Sequence, residues 1–141
     1  MRKLKCHRGS ASILFIGITF ALLCLTFLLL ELGSVMERYD YALDVLQRSV
    51  NSAVEKNMLD EYRSNRILKM DPAEAEKDFR TFAAADMPDG YEVHIQSVSA
   101  KASPPSMEAA GTLTIPTLFS QYGIREKTYS FTVRATNYDL D

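Results

Sequence analysis

Apolar side chains fill residues 11–30 without a single charge, and this stretch is the strongest pattern in the chain. At about 1.5 Å of helical rise per residue it would be about 30 Å long, which matches the hydrocarbon thickness of a bilayer. A cleavable secretory signal has a shorter apolar region, about 7–15 residues, followed by a small-residue cleavage site. Here Glu31 and Leu32 follow instead, and helical periodicity continues. We therefore predict a retained transmembrane helix over residues 11–32.

An amphipathic pattern continues directly beyond this span. Its apolar positions step alternately by four and three residues, which is typical of one face of a helix. These positions are Leu32, Met36, Tyr39, Leu43, Leu46, Val50, Ala53 and Asn57. The stripe predicts an extracytoplasmic helix over residues 33–66, continuous with the span. Two interpretations stay open: the stripe packs against the chain's own C-terminal sheet, or it pairs with a helix of another protein.

A second helix is indicated by a start signal in the middle of the chain. Asp71 can cap the helix, Pro72 suits its first position, and Glu74 can complete a capping box. An apolar face follows at helical spacing, made by Ala75, Phe79, Phe82 and Ala83. Residues 87–90 form a turn cluster rich in proline and glycine. The pattern predicts a short helix over residues 72–85.

From Tyr91 the hydrophobic period changes to two, which is typical of a half-buried strand. The phase shifts near Ser97, so we expect a β-bulge or an end of regular pairing there. Residues 101–111 have the composition of an exposed loop. Alternation resumes over residues 112–115 and is clearest over residues 129–136. These segments predict an antiparallel sheet with one apolar face.

Together the elements predict an α+β chain in which the two helices cover a C-terminal antiparallel sheet of about three strands. We divide it into a cytoplasmic basic segment (1–10), the transmembrane helix (11–32), the extracytoplasmic helix (33–66) and a small α+β domain (67–141). The length of 141 residues is sufficient for one small core of this kind.

The charges are distributed unevenly around the span. Four basic residues precede it, namely Arg2, Lys3, Lys5 and Arg8. The rest of the chain carries 12 basic and 18 acidic side chains, a net charge of −6. Short basic flanks stay in the cytoplasm, so we predict a single-pass protein of the cytoplasmic membrane with its N-terminus inside and its C-terminal domain outside. An acidic exterior without a basic stripe argues against nucleic-acid binding.

The cysteines do not indicate a disulfide-stabilised domain. Cys6 lies in the basic segment and Cys24 within the span, so the exported region contains no cysteine. Packing must therefore hold that region together.

Several residues of the N-terminal helix are candidates for contact with another helix. Gly17 and Ala21 form a small-x-x-x-small pair, which permits close approach of two helices in a membrane. Glu31, at the end of the span, is interpreted either as an interfacial carboxylate facing water or as a contact to an assembly partner. The candidate interface comprises Gly17, Ala21, Glu31, Met36, Leu43, Leu46 and Val50.

Residues suited to catalysis or metal binding are scarce. His94 is the one histidine beyond the span, and it falls on the polar side of its strand. The carboxylates Glu74, Glu76 and Asp78 alternate with basic residues, as on the solvated face of a helix. We therefore predict no catalytic, cofactor-binding or metal-binding site and expect no enzyme activity.

Three short segments stand out in the order in which they follow one another along the chain. They are Arg8-Gly9-Ser10-Ala11-Ser12 at the start of the span, Glu31-Leu32-Gly33 at its end, and Thr114-Ile115-Pro116-Thr117-Leu118-Phe119 before the last strand. In these segments and in the order of its elements, the chain resembles the TadE/TadG-like family of tight-adherence (Flp-type) pilus systems, which implies a pilin-like fold. The resemblance implies an accessory or minor pilin-like component of an envelope-spanning secretion and pilus machine. It implies as partners the lipid bilayer and other pilus-assembly proteins, with homo- or hetero-oligomers formed through the N-terminal helix.

Processing is where the chain departs from the prepilin-like members of that family. Those members are cut after a glycine and keep a glutamate at the fifth position of the mature chain. Cutting between Gly9 and Ser10 would place Leu14 there. The chain is thus more similar to the uncut TadG-like branch, and we expect it to keep its N-terminus. Two alternatives stay open: a bitopic scaffold of cell division or wall synthesis, and an extracytoplasmic ligand-sensing module.

Overall fold

A computed structural model of the chain describes residues 8–59, 68–120, 123 and 125–137. Within these residues it contains two helices and three strands. They are α1 (Arg8–Lys56), α2 (Pro72–Asp86), β1 (Glu92–Lys101), β2 (Ser106–Ile115) and β3 (Lys127–Thr136). The predicted α+β class is confirmed: a long apolar N-terminal helix and a short second helix precede a three-stranded antiparallel sheet.

Helix α1 is continuous from the apolar segment, residues 11–30, into the folded domain. It is the one helix of the described chain that is long and apolar enough to cross a membrane, and its apolar window is unburied by the rest of the protein. The helix ends at Lys56, so the predicted extent to residue 66 is too long. Beyond it, Leu59 N–H donates to the carbonyl of Lys69 (2.8 Å), and Met58 and Met70 form an isolated antiparallel β-bridge instead of a further helical turn. Residues 60–66 of the predicted helix lie outside the described part.

The start of α2 is as predicted, except for its capping box. The Asp71 carboxylate accepts from the main-chain N–H groups of Ala73 (3.0 Å) and Glu74 (3.2 Å), and Pro72 occupies the first helical position. The N–H of Asp71 donates to the carbonyl of Asn57 (3.0 Å). Glu74 is therefore not needed as its acceptor, and its carboxylate pairs with Lys77 instead.

The strands form a meander in the order β1-β2-β3, with both pairs antiparallel. The register of β1 against β2 shifts between Ile95 and Ser97, so the predicted bulge is confirmed. The predicted loop over residues 101–111 is wrong, because β2 already begins at Ser106. The missed residues 106–111 of β2 include Ala109, Ala110 and Gly111, which have low strand propensity, and the alternation is therefore weak in the sequence.

The core lies between the two helices and one face of the sheet. α1 packs on α2, β2 and β3, and α2 also packs on β1. The face of the sheet contributes Met107, Ala109, Leu113, Ile115, Phe131, Val133 and Ala135, and the helices contribute Ala42, Leu46, Val50, Ala53, Val54, Ala75, Phe79 and Ala83. Of the two interpretations of the helical stripe, packing against the chain's own sheet therefore describes its outer half.

The half of the stripe next to the apolar segment differs from the prediction. Leu32 and Met36 are 59% and 61% exposed, whereas Val35 and Val45, which lie off the stripe, are buried. α1 is covered from two directions, by α2 and by the sheet, so its buried face is wider than a single heptad seam.

Candidate membrane-proximal interface

The connection between β2 and β3 returns to α1 where the apolar segment ends. We call residues 116–120 the exit loop. Leu118 N–H donates to Glu31 Oε2 (3.2 Å), and Arg38 Nη1 donates to the carbonyl of Pro116 (2.6 Å). The ring of Phe119 meets that of Phe27 edge to face, with centroids 6.3 Å apart and planes at 73°. The exit loop is thus attached to both the last turn of the apolar segment and the first turns beyond it.

Local sequence explains why the chain turns here. Pro116 has no N–H to continue the ladder, so β2 ends at Ile115. Ser120 N–H donates to the carbonyl of Thr117 (3.3 Å), and Gly123 N–H to that of Ser120 (3.0 Å). Gly123 has a φ of +87°, a backbone conformation that residues other than glycine rarely adopt. These hydrogen bonds turn the chain after the end of β2.

The exit loop covers part of the Glu31 side chain, which is half-buried. Its Oε2 accepts from the exit loop, and its Oε1 is buried without a hydrogen-bond partner. Glu31 is therefore not simply water-facing, because the exit loop, far away in sequence, contacts one carboxylate oxygen and the other is buried. Its contact to an assembly partner stays a prediction. Burying an unpaired carboxylate oxygen carries a desolvation cost.

The remaining interface candidates divide between surface and core. Gly17 and Ala21 are exposed on the apolar segment, and a Cβ added to Gly17 would meet nothing within 4 Å, so close approach of another helix is sterically open. Leu43 is half-buried, whereas Leu46 and Val50 are fully buried in the protein's own core. Leu46 and Val50 are therefore unable to contact another helix while the domain is folded.

Met36 lines an open apolar groove beside α1. The groove has a volume of about 330 Å³. It is lined by Val35, Met36, Tyr39, Asp40, Tyr129 and Ser130. The Tyr39 hydroxyl donates to the Ser130 carbonyl (3.2 Å), and the Tyr39 and Tyr129 rings lie 5.3 Å apart. These contacts shape the groove and cover part of the outer edge of β3.

Gly9 and Ser10, where a prepilin-type cut would fall, belong to the first turn of α1. Nothing in the fold tests whether the bond between them is cut. Retention of the N-terminus stays a prediction.

The polar residues considered for chemistry are dispersed. His94 is exposed on β1, on the polar side that the alternation predicts. Among the described residues no group of three or more His, Cys, Asp and Glu side chains is arranged to hold a metal ion. Burial raises the pKa of the Tyr91 phenol, while the positive charge of Arg38 acts in the opposite direction.

Asp78 was grouped with a solvated face, and its contacts differ from that expectation. Its carboxylate accepts from Asn57 Nδ2 (2.8 Å) and pairs with Lys56 Nζ (2.9 Å), joining α2 to the end of α1. The hydrogen bond from Asn57 and then the one from Lys56 lower the pKa of Asp78 from its ordinary value of 3.8. Glu74 and Glu76 pair only within α2, with Lys77 and Arg80, as on a solvated face.

The exit loop is the part of this interface that sequence reasoning missed. In the sequence, residues 116–119 belong to a segment that carries the family resemblance, and no contact to the span is predicted for them. The available signal was an apolar pair, Leu118 and Phe119, in a loop that follows a strand-ending proline.

No family model, curated protein or solved structure matches the chain.

Proposed function

We propose that this chain is an accessory or minor pilin-like, non-catalytic component of a tight-adherence (Flp-type) pilus assembly machine, anchored in the cytoplasmic membrane with its C-terminal domain outside. One observation carries the proposal: the apolar segment and the central helix of the folded domain are a single helix, α1, covered by an antiparallel sheet. The sequence resemblance at both ends of the span and around Pro116 supports the same family.

The anchoring part of the proposal rests on the chemistry of the apolar segment. Its large side chains are exposed, which is unfavourable in water and favourable in lipid. The hydroxyls of Thr19 and Thr26 donate to the carbonyls of Phe15 and Leu22 (both 2.9 Å), so they need no water. One long apolar N-terminal helix of this kind fits a single-pass anchor.

A continuous helix also suits a structural component. No flexible linker separates the span from the domain, so a force or displacement on one is transmitted to the other. The exposed groove at Met36 and the Gly17 and Ala21 face remain available for neighbouring subunits. The role is non-catalytic because the exported region has a single, exposed histidine and no cysteine.

The groove at Met36 also favours the second candidate, a bitopic scaffold of a cell-division or wall-synthesis complex. Such a scaffold would use the same groove to bind a partner helix. The two candidates share topology and differ in the identity of the neighbour.

Site-specific photo-crosslinking in the native host separates these candidates. A photoreactive residue replaces Met36 in the groove, and the control replaces Ser99, which is exposed on β1 away from the span. We expect Met36 adducts with pilus subunits or with a polytopic platform protein of the pilus machine, and loss of the chain should abolish or reduce its pili. Adducts with division or wall-synthesis proteins, together with normal piliation, would support the scaffold instead.

A further inference from the structure

The exit loop descends along α1 towards the apolar segment. Its successive residues contact successively earlier turns of the helix: Pro116 meets Arg38, Leu118 meets Glu31, and Phe119 meets Phe27. From Arg38 to Phe27 the helix axis covers about 16 Å at about 1.5 Å per residue. The loop tip is therefore directed along the helix and not away from it.

The level that the tip reaches is set by its contact with Phe27. Phe27 lies within the uncharged segment, about 6 Å along the helix before Glu31 at about 1.5 Å per residue. The Phe119 ring, which packs on Phe27, is consequently level with the apolar side chains of the uncharged segment. It lies on the N-terminal side of Glu31, the first charged residue after that segment.

We propose that the tip of the exit loop, Leu118 and Phe119, inserts into the outer interfacial layer of the bilayer as a second membrane contact beside α1. The partner is the lipid at the boundary of headgroups and acyl chains. This inference rests on the proposed membrane anchoring of α1 and is independent of the pilus assignment.

The exposed apolar surface of the described chain supports lipid as the occupant. Outside the apolar segment, the large hydrophobic side chains that remain exposed are Leu32, Met36, Tyr41, Leu59, Leu118 and Tyr129. All but Leu59 lie on the early turns of α1 beyond the segment, on the exit loop, or at the start of β3 beside Tyr39. Leu118 is 42% exposed, and it continues the apolar surface of the span. Lipid covers such a surface, whereas water leaves it uncompensated.

The backbone of the exit loop is also prepared for a partly dry environment. Polar main-chain groups near hydrocarbon need internal partners. Pro116 has no N–H and its carbonyl accepts from Arg38, while the N–H groups of Leu118 and Ser120 donate to Glu31 and Thr117. Glu31 thus acts as a positioning residue that ties the loop to the end of the span.

Insertion of the tip would restrain the tilt of the domain. The tilt of a single transmembrane helix is set by the proteins that pack against it and by residues at the membrane interface. A second membrane contact on one side would hold the loop side of the domain against the membrane surface. The groove at Met36 would then face its partners at a defined height above the lipid.

Tryptophan fluorescence in vesicles tests the inference, because the chain contains no tryptophan and a single one reports unambiguously. Full-length F119W and L118W are reconstituted in phosphatidylcholine vesicles that carry nitroxide-labelled lipid, with the label either near the glycerol end or near the chain terminus. F20W, in the middle of the apolar segment, is the anchoring control, and S99W, far along β1, is the aqueous control.

We expect blue-shifted emission from F119W and L118W and a larger loss of intensity with the shallow label than with the deep one. F20W should be quenched mainly by the deep label and S99W by neither. Unquenched, red-shifted emission from both loop variants with normal quenching of F20W would overturn the inference and leave the anchor intact. Absence of quenching in F20W would overturn the anchor and the inference together.

A matched pair at position 31 tests the positioning role in the F119W background. E31L removes the acceptor for Leu118 N–H, and E31Q keeps an acceptor oxygen of the same reach. We expect quenching of F119W to fall in E31L and to be retained in E31Q. Equal quenching in both would contradict the role of Glu31.

Discussion

Two residues show how strongly the residue type at a single position constrains this fold. Gly111, opposite Ile95 and beside the β-bulge, lies so close to β1 that a Cβ would collide with the His94 carbonyl oxygen and lie 3.0 Å from Ile95 Cα. The Asp78 carboxylate accepts hydrogen bonds from Lys56 and Asn57, where α1 ends. One position is determined by steric exclusion, and the other by charge and hydrogen bonding.

Replacing Gly111 by alanine should destabilise the protein, because rigid main-chain atoms of the neighbouring strand must move. Overpacking of this kind typically costs about 1–3 kcal/mol. G33A is the matched control: a Cβ at Gly33 meets nothing within 4 Å, and alanine is favoured over glycine in a helix by about 1 kcal/mol. Thermal unfolding of the full chain in detergent measures both, and a G111A melting curve equal to wild type would contradict the steric argument.

The contacts of Asp78 predict an acid-dependent contribution to stability. Its pKa is lowered in the folded protein, chiefly by Asn57 and then Lys56, so the contribution is present above the ordinary value of 3.8 and is lost as pH falls through the folded pKa. D78N should be less stable than wild type at neutral pH, and the difference should shrink below pH of about 4. Denaturant unfolding at several pH values measures it. A difference that stays constant with pH would show that charge is not its source.

Elements were predictable from sequence where their signal was local. The Asp71 cap, the face of α2 and the alternation of β3 depend on neighbours a few residues apart. The cap and the face are confirmed, and the alternation is confirmed from Phe131 onward, whereas Tyr129 is exposed. Residues 106–111 of β2 were missed because Ala109, Ala110 and Gly111 follow one another with little contrast in hydrophobicity. Their place in the sheet depends on pairing with β1 and β3 on either side.

The packing of α1 on the sheet predicts a large effect of Leu46. This side chain is fully buried among the core residues of both helices and the sheet. L46A should reduce the free energy of unfolding by about 2–5 kcal/mol, from lost apolar burial and the cavity left behind. M36A, at an exposed position of the same helix, should change it by about 0.5 kcal/mol or less. Equal effects of the two variants would contradict the observed burial of Leu46.

At the scale of the whole molecule, one helix passes through two environments. Its first part is exposed and apolar, and its later part is buried under the sheet. The exit loop bridges the two parts through Arg38, Glu31 and Phe27. The domain is therefore held close to the end of the apolar segment.

The charge asymmetry predicts the orientation of the chain. Four basic residues before the span should remain in the cytoplasm, and the acidic region after it should be exported. Protease added to spheroplasts should remove a C-terminal tag and leave an N-terminal tag intact, with lysed cells as the control for accessibility. The opposite pattern of protection would reverse the topology.

The processing prediction concerns the N-terminus of the mature chain. We expect it to be retained, because Leu14 offers no carboxylate at the position where a prepilin-like subunit has one. Glu31 is unable to substitute, since it lies about 25 Å further along the helix at about 1.5 Å per residue. Intact-mass measurement on protein from its native membrane decides this. A chain beginning at Ser10 would contradict the prediction, and G9A should otherwise behave like wild type.

The sequence by itself determined the local features: the apolar segment, the capped start of α2, the bulge near Ser97 and the alternating last strand. Each is encoded by spacing within one or two turns of helix or a few residues of strand. Only the tertiary structure decided that α1 ends at Lys56, that Gly111 lies within β2, and that Glu31 is covered by Leu118. These outcomes join residues far apart in the chain, so they depend on how the sheet closes over the helices, which no local pattern records.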